Sequence, residues 1–235
     1  MNHLITFAGL FLLMSLQPIM ASEADNCRQC HLQIVDQWQT SQHARSMLPS
    51  TPDNVLGNFS HVRFVSEDVE AEFYRQNDRY HVRLTESGQT SHWTVRYTFG
   101  VYPLQQYLID IGDGKLQALN IAWDSRSADA GGQRWFRLDV AEHQRPDDPL
   151  HWRGVYQNWN GMCADCHSTA FRKGYIPDTD RYESHFEQVN VSCSACHALA
   201  SAHAQAARSG ESQSAGADLS ARSAWLTGTL EHKPK

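Results

Sequence analysis

Apolar and polar positions change their spacing several times along this chain, and each change predicts an element. Residues 4–16 are an apolar run of signal h-region length, too short to span a bilayer. Pro18 and a small-residue exit at Ala21-Ser22 follow, so residues 1–21 are expected to be a cleaved secretory signal. Over residues 26–47, Ile34, Val35, Trp38 and Met47 make a helical stripe that Pro49 and Pro52 end. The period then shortens to strict alternation at 61–65, 70–74, 80–84 and 93–97, with turn residues at 76–78 and 86–88. Residues 106–110 and 116–123 flank Gly112-Asp113-Gly114-Lys115 as a hairpin. From 131 to 161 the chain reads as loop, but an aromatic one with Trp135, Trp152 and Trp159. Residues 198–207 are alanine-rich and helical in propensity, and the tail from 208 to 235 has the composition of a partly disordered segment.

Charge narrows the partners. The formal net charge is −6, and Arg outnumbers Lys sixteen to four. An acidic chain is a poor ligand for nucleic acid, so no nucleic-acid partner is expected. Planar, bidentate Arg suits carboxylates.

Cysteine decides the chemistry. All six cysteines fall in three copies of one pentapeptide: Cys27-Arg28-Gln29-Cys30-His31, Cys163-Ala164-Asp165-Cys166-His167 and Cys193-Ser194-Ala195-Cys196-His197. In Cys-x-x-Cys-His two thiols can form thioethers with the haem vinyl groups while the adjacent imidazole reaches the iron. A zinc site built from two Cys-x-x-Cys pairs strands the pair at Cys27. A disulfide framework leaves the three histidines unexplained. The expectation is three covalently attached c-type haems, with iron bound by His31, His167 and His197. Each haem adds about two propionate charges to an already acidic protein.

The second axial ligands are harder to place. Outside the signal only Met47 and Met162 could supply sulfur, too few for three haems, and Met162 adjoins its own motif. Bis-histidine ligation and low reduction potentials are the economical expectation. His43 lies about 18 Å beyond His31 on a continuous helix and His203 about 9 Å beyond His197, so neither is expected to serve the haem of its own motif. His151, followed by Trp152, is a further candidate. His61, His81 and His92 sit at alternating strand positions, where a solvated role is commoner. The aromatics of 131–161 could wall a haem or form a satellite hydrophobic cluster.

The pattern resembles the multihaem c-type cytochromes of the tetrahaem cytochrome c-554 class, and within them the haem module that precedes tetratricopeptide repeats in some bacterial proteins. The resemblance is carried by Cys27-x-x-Cys30-His31 with Trp38-x-x-Ser41-x-His43-Ala44, by Phe99-Gly100-Val101 with 103–108, and by 131–136. Its most specific stretch runs from Asn158-Trp159-Asn160 through Cys163-Ala164-x-Cys166-His167-Ser168-Thr169. It implies an electron carrier with mostly bis-histidine haems packed edge to edge, with His43 and His203 as distal ligands and His151 a candidate. Where that family tends to place Gly-Pro-Gly after the last motif, this chain has Ala198-Leu199-Ala200. The repeats are absent, so a stand-alone or shortened module is expected.

The expected architecture is α+β, a multihaem cytochrome c of haem-binding helices and loops with a small inserted antiparallel β unit. Residues 22–57 would form an N-terminal haem helix segment, 58–128 the inserted unit, and 129–207 a two-haem segment packing with 22–57. The expected setting is the periplasm or another exported compartment. Expected partners are redox proteins acting as donors and acceptors, with membrane-bound respiratory complexes as candidate associates. A different class, a nitrogen-oxide or hydroxylamine-type haem oxidoreductase with one open iron, remains the alternative; no acid or tyrosine cluster marks a catalytic set.

Overall fold

A computed structural model describes residues 23–67, 69–138, 148–197 and 200–210. The expected signal over 1–21 and nearly all of the expected tail lie outside them. Among the described residues no helix is long and apolar enough to cross a membrane.

The sheet is the body of the molecule. Strands β1 (Met47–Pro49), β2 (Ser60–Ser66), β3 (Val69–Gln76), β4 (Arg79–Glu86), β5 (Gln89–Phe99), β6 (Leu104–Asp110), β7 (Leu116–Ala118), β8 (Ile121–Asp124) and β9 (Arg134–Arg137) form one antiparallel sheet. Its order is β2-β3-β4-β5-β6-β8-β9, with β1 on β5 and β7 on β6. Long β5 pairs β4 through residues 89–94, then, past an irregularity between Val95 and Tyr97, pairs β6 and β1. The bend rolls the sheet until its edges meet. Trp135 on β9 donates its indole N–H to Asn58 O at 3.2 Å, just before β2, and its ring lies edge-on to Phe59 at 5.4 Å. The result is a nearly closed barrel.

Alternation explains the filling. Val69, Ala71 and Phe73 of β3, Tyr80, Val82 and Leu84 of β4, and Tyr107 and Ile109 of β6 all point inward and are buried. Trp135 stacks on Phe73 with ring centres 3.5 Å apart, and Trp123, Tyr107 and Trp152 complete the same core. Gly57 passes so close to this cluster that a Cβ there would stand 2.6 Å from the Tyr107 hydroxyl and 2.7 Å from the Trp135 ring. A side chain at 57 would force the aromatic pair apart.

This corrects the expected architecture. The barrel is no small insert in a helical haem domain; it reaches from β1 to β9, beyond both boundaries drawn at 58 and 128. Residues 134–137, read as loop, form the closing strand. The continuous helix expected over 26–47 is instead α1 (Glu23–Arg28) and α2 (Leu32–Gln39), broken at the first motif, and Met47 is a fully buried strand residue. The motif's turn interrupts the helix, and Pro49, taken as a helix stop, sits in β1.

The remaining elements are short: α3 (Trp159–Met162), α4 (Ala164–His167), a hairpin of β10 (Tyr175–Ile176) with β11 (Arg181–Tyr182), α5 (Cys193–Cys196) and α6 (Ala200–Ser209). A second apolar cluster of Met47, Leu108, Ala118, Trp159 and Ala164 joins α3 and α4 to the outside of the barrel.

One electrostatic contact ties the barrel to pH. Arg126 forks onto Asp124 at 2.6 and 2.9 Å, and this holds the Asp124 carboxyl down at about 2. The folded pKa lies below the ordinary value of about 3.9. The contribution is therefore fully present above that value and is lost as pH falls from there towards 2. Asp124→Asn is expected to lower stability at neutral pH and to flatten the acid limb in acid-unfolding curves; identical limbs would exclude the linkage.

Candidate functional site

The first and third motifs face each other. Cys27, Cys30 and His31, carried between α1 and α2, and Cys193, Cys196 and His197, on and just after α5, line one cavity of about 510 Å³. Three contacts hold its walls together. Glu23 on α1 accepts from Ser194 N at 2.8 Å and Ser194 Oγ at 3.0 Å, across 171 residues of chain. The Trp38 indole on α2 donates to Val191 O at 2.9 Å, and Val191 N donates to His43 O at 3.2 Å.

Two further histidines reach the same cavity. α2 ends at Gln39, and the turn after it brings His43 to the wall. The premise of a continuous helix separating His43 from the first motif therefore does not hold. His203 projects from α6, where Ala200, Ala204 and Ala207 at helical spacing present small side chains to the cavity. Its ring lies 6.2 Å from that of His31, at 33°. Two imidazoles facing each other across one metal at about 2 Å each have ring centres roughly 6 Å apart.

The second motif is mounted separately, on the barrel. Asn158 caps α3 by accepting from Gly161 N at 2.9 Å. Asn160 accepts from Leu116 N at 2.8 Å and donates to Gly114 O at 3.1 Å, so side-chain amides take up the free edge of β7. Trp159, fully buried, packs edge-on to Phe171 and Phe186. The His167 ring lies 4.5 Å from Phe99, and its Nδ1 is buried without a hydrogen-bond partner. Burial lowers the pKa of His167, favouring the neutral imidazole that binds metal.

The thiols suit thioether formation rather than the competing chemistries. All six cysteines are free in this structure. Among the described residues no three His, Cys, Asp or Glu side chains converge as a metal cage. A haem iron needs only two protein ligands, because the macrocycle supplies the rest. Cys27 is pushed up to about 11 by burial, by the adjoining Cys193 thiol and by Glu23, and Cys163 is raised by burial and Cys166.

A family model described as cytochrome c554 and c-prime matches residues 26–95 and 144–198, more than half of the chain. The chain belongs to this family. No curated protein and no solved structure matches it. As a cytochrome of the c554 and c-prime family it is a c-type cytochrome with covalently bound haem, an electron-transfer protein. Two separate stretches match; the first ends within β5, and the second opens ahead of His151 and closes just after His197.

His151 does not come to the cavity. It is fully buried behind β4, with Nε2 3.3 Å from Glu86 Oε1 and Nδ1 accepting from Arg153 N at 3.2 Å. Trp152 donates to both oxygens of the same carboxylate at 3.2 and 3.3 Å. Trp135 and Trp152 fill the barrel core; of the three tryptophans only Trp159 stands beside a motif. Glu86 looked like a turn residue. The signal that could have found it is parity, since it continues the inward series Tyr80, Val82, Leu84. Nothing in the local sequence marks Glu23 or Ser46, whose partners are distant; Thr169 closes the most specific stretch of the resemblance, though its partners too are distant.

Proposed function

We propose that this cytochrome carries three haems, one on each motif, and passes single electrons between them and partner redox proteins in the periplasm or another exported compartment. The observation that carries the reading is the shared cavity: two attachment motifs and four histidines line one space, with His31 and His203 at the separation of a pair across one metal. His31 and His203 would hold the iron of the first motif, leaving His197 and His43 to hold that of the third. This agrees with bis-histidine ligation and low potentials. Haem supplies one-electron redox chemistry; the chain supplies ligation, apolar cover from Val35, Trp38 and the α6 alanines, and its field. Export follows from the leader reading and from the need of c-type haem attachment for a compartment outside the cytoplasm.

A specific observation favours a second reading at the second motif. With His43 and His203 at the shared cavity, His151 is the candidate left for that iron, and it is engaged by Glu86 inside the barrel wall. The iron at His167 would then lack His151 as a distal ligand, and that position could take a small nitrogen oxide or hydroxylamine.

Haem quantitation with low-temperature electron paramagnetic resonance of the oxidised holoprotein tests both. Three haems per chain, all low-spin, support the pure carrier. One high-spin signal that shifts with nitrite and disappears in Cys163→Ser/Cys166→Ser supports the open site. Two or fewer haems in the unmodified protein would sink the three-haem reading.

A further inference from the structure

Residues 190–192 thread between the second motif and the turn that carries His43, and hydroxyl groups tie them to it. Thr169, 1 % exposed, donates through Oγ1 to Asn190 O at 2.6 Å and accepts from Ser192 N at 2.8 Å. Ser46 donates through Oγ to His167 O and accepts from Val191 N, both at 3.4 Å. Asn190 Nδ2 donates to Ala44 O at 2.8 Å on the far side. Neither Thr169 nor Ser46 lines the two-motif cavity.

Thr169 stands two residues after His167, and Ser192 immediately precedes Cys193. A bonded connection therefore runs from His167 through Ser168 and the Thr169 hydroxyl to the Ser192 N–H and Cys193. The backbone of Thr169 is held from both sides as well, because Thr169 N donates to Gln188 O and Glu187 N donates to Thr169 O, each at 3.0 Å. The hydroxyl has its one donor committed and one of its two lone pairs filled. Valine would fill the same space and leave Ser192 N and Asn190 O without this partner.

We propose that Thr169 is a positioning residue for electron exchange between the second motif and the two-motif cavity, its hydroxyl setting how the second and third motifs approach. The inference rests on the reading that all three motifs carry haem. The step is the transfer of one electron from a reduced iron at one motif, which is oxidised, to an oxidised iron at the other, which is reduced. No bond forms or breaks.

The test uses the holoprotein. Thr169→Val and Thr169→Ser are assayed for haem content and for spin state, and interhaem re-equilibration is then followed after pulsed one-electron reduction. Thr169→Val is expected to slow the exchange severalfold, because electron transfer weakens with the separation of the two motifs that this hydroxyl helps to hold. Thr169→Ser is expected to restore it, with haem content and spin states unchanged in both. Ser46→Ala, which removes the longer contacts, is expected to slow it by a smaller factor. A Thr169→Val protein with three haems and the wild-type exchange rate overturns the proposal. If that variant does not accumulate, Thr169→Ala decides, and a three-haem protein with the wild-type rate there overturns it equally. Haem content is read first: fewer than three in the unmodified protein overturns the three-haem reading and takes this inference with it.

Discussion

Replacing His203 with alanine is expected, on the proposed three-haem reading, to turn one haem from low-spin to high-spin while every haem stays attached. The reason lies in where the side chain sits. His203 belongs to α6, at the other end of the described chain from the first motif, yet its ring faces His31 at 6.2 Å. The thioether positions, Cys27 and Cys30, do not depend on it, so haem content should be unchanged. A second effect follows from the helix itself. α6 is 10 residues long and buries none of them, and a helix of that length is marginal in water on its own. Bonding through His203 would be its main anchor. His203→Ala should therefore also expose residues 200–209 to hydrogen exchange and proteolysis. A variant that keeps every haem low-spin and α6 protected removes His203 from the ligand set.

The largest loss of stability is expected from Trp135→Ala, about 3–5 kcal/mol. Its ring stacks on Phe73 at 3.5 Å and meets Trp123, Phe59 and Tyr107 at 5.3 to 5.5 Å. The indole N–H also closes the barrel by reaching Asn58 O. Truncation opens a cavity and unties β9 from β2 together. Against a total stability of about 5–15 kcal/mol for an ordinary domain, the loss is a large share. Urea unfolding of the holoprotein, followed by tryptophan fluorescence with the haem bands as control, measures it. A change under about 1 kcal/mol would mean that the aromatic cluster does not close the barrel.

Legibility followed the range of the interaction. β2 to β6 showed in the sequence because each presents alternate residues to one core, as Val69, Ala71 and Phe73 do. β1 and β9, at 3 and 4 residues, are too short to show a period, and their pairing with β5 and β8 is decided across the fold. The extent of the barrel was missed with them. The attachment motifs were legible because spacing within five residues carries the chemistry. The partners of those motifs were not. His43 reaches the cavity through a helix stop at Thr40 that no proline or glycine announces. His151 looked like a ligand beside Trp152, but its environment is set by Glu86 on a distant strand. Periodicity marks a residue's inward or outward face; it says nothing of which distant element lies opposite.

The Glu23 to Ser194 clasp bears on the order of assembly. It joins residues 171 apart, and the His31 and His203 pair spans a comparable length. Contacts so far apart in sequence form late, because the intervening chain must be gathered first. If the chain is exported N-terminus first, as proposed, it would present Cys27, Cys30 and His31 before any residue that covers them has emerged. The first motif would then stay open to haem attachment until the C-terminal segment arrives, so that the site made earliest is the one closed last.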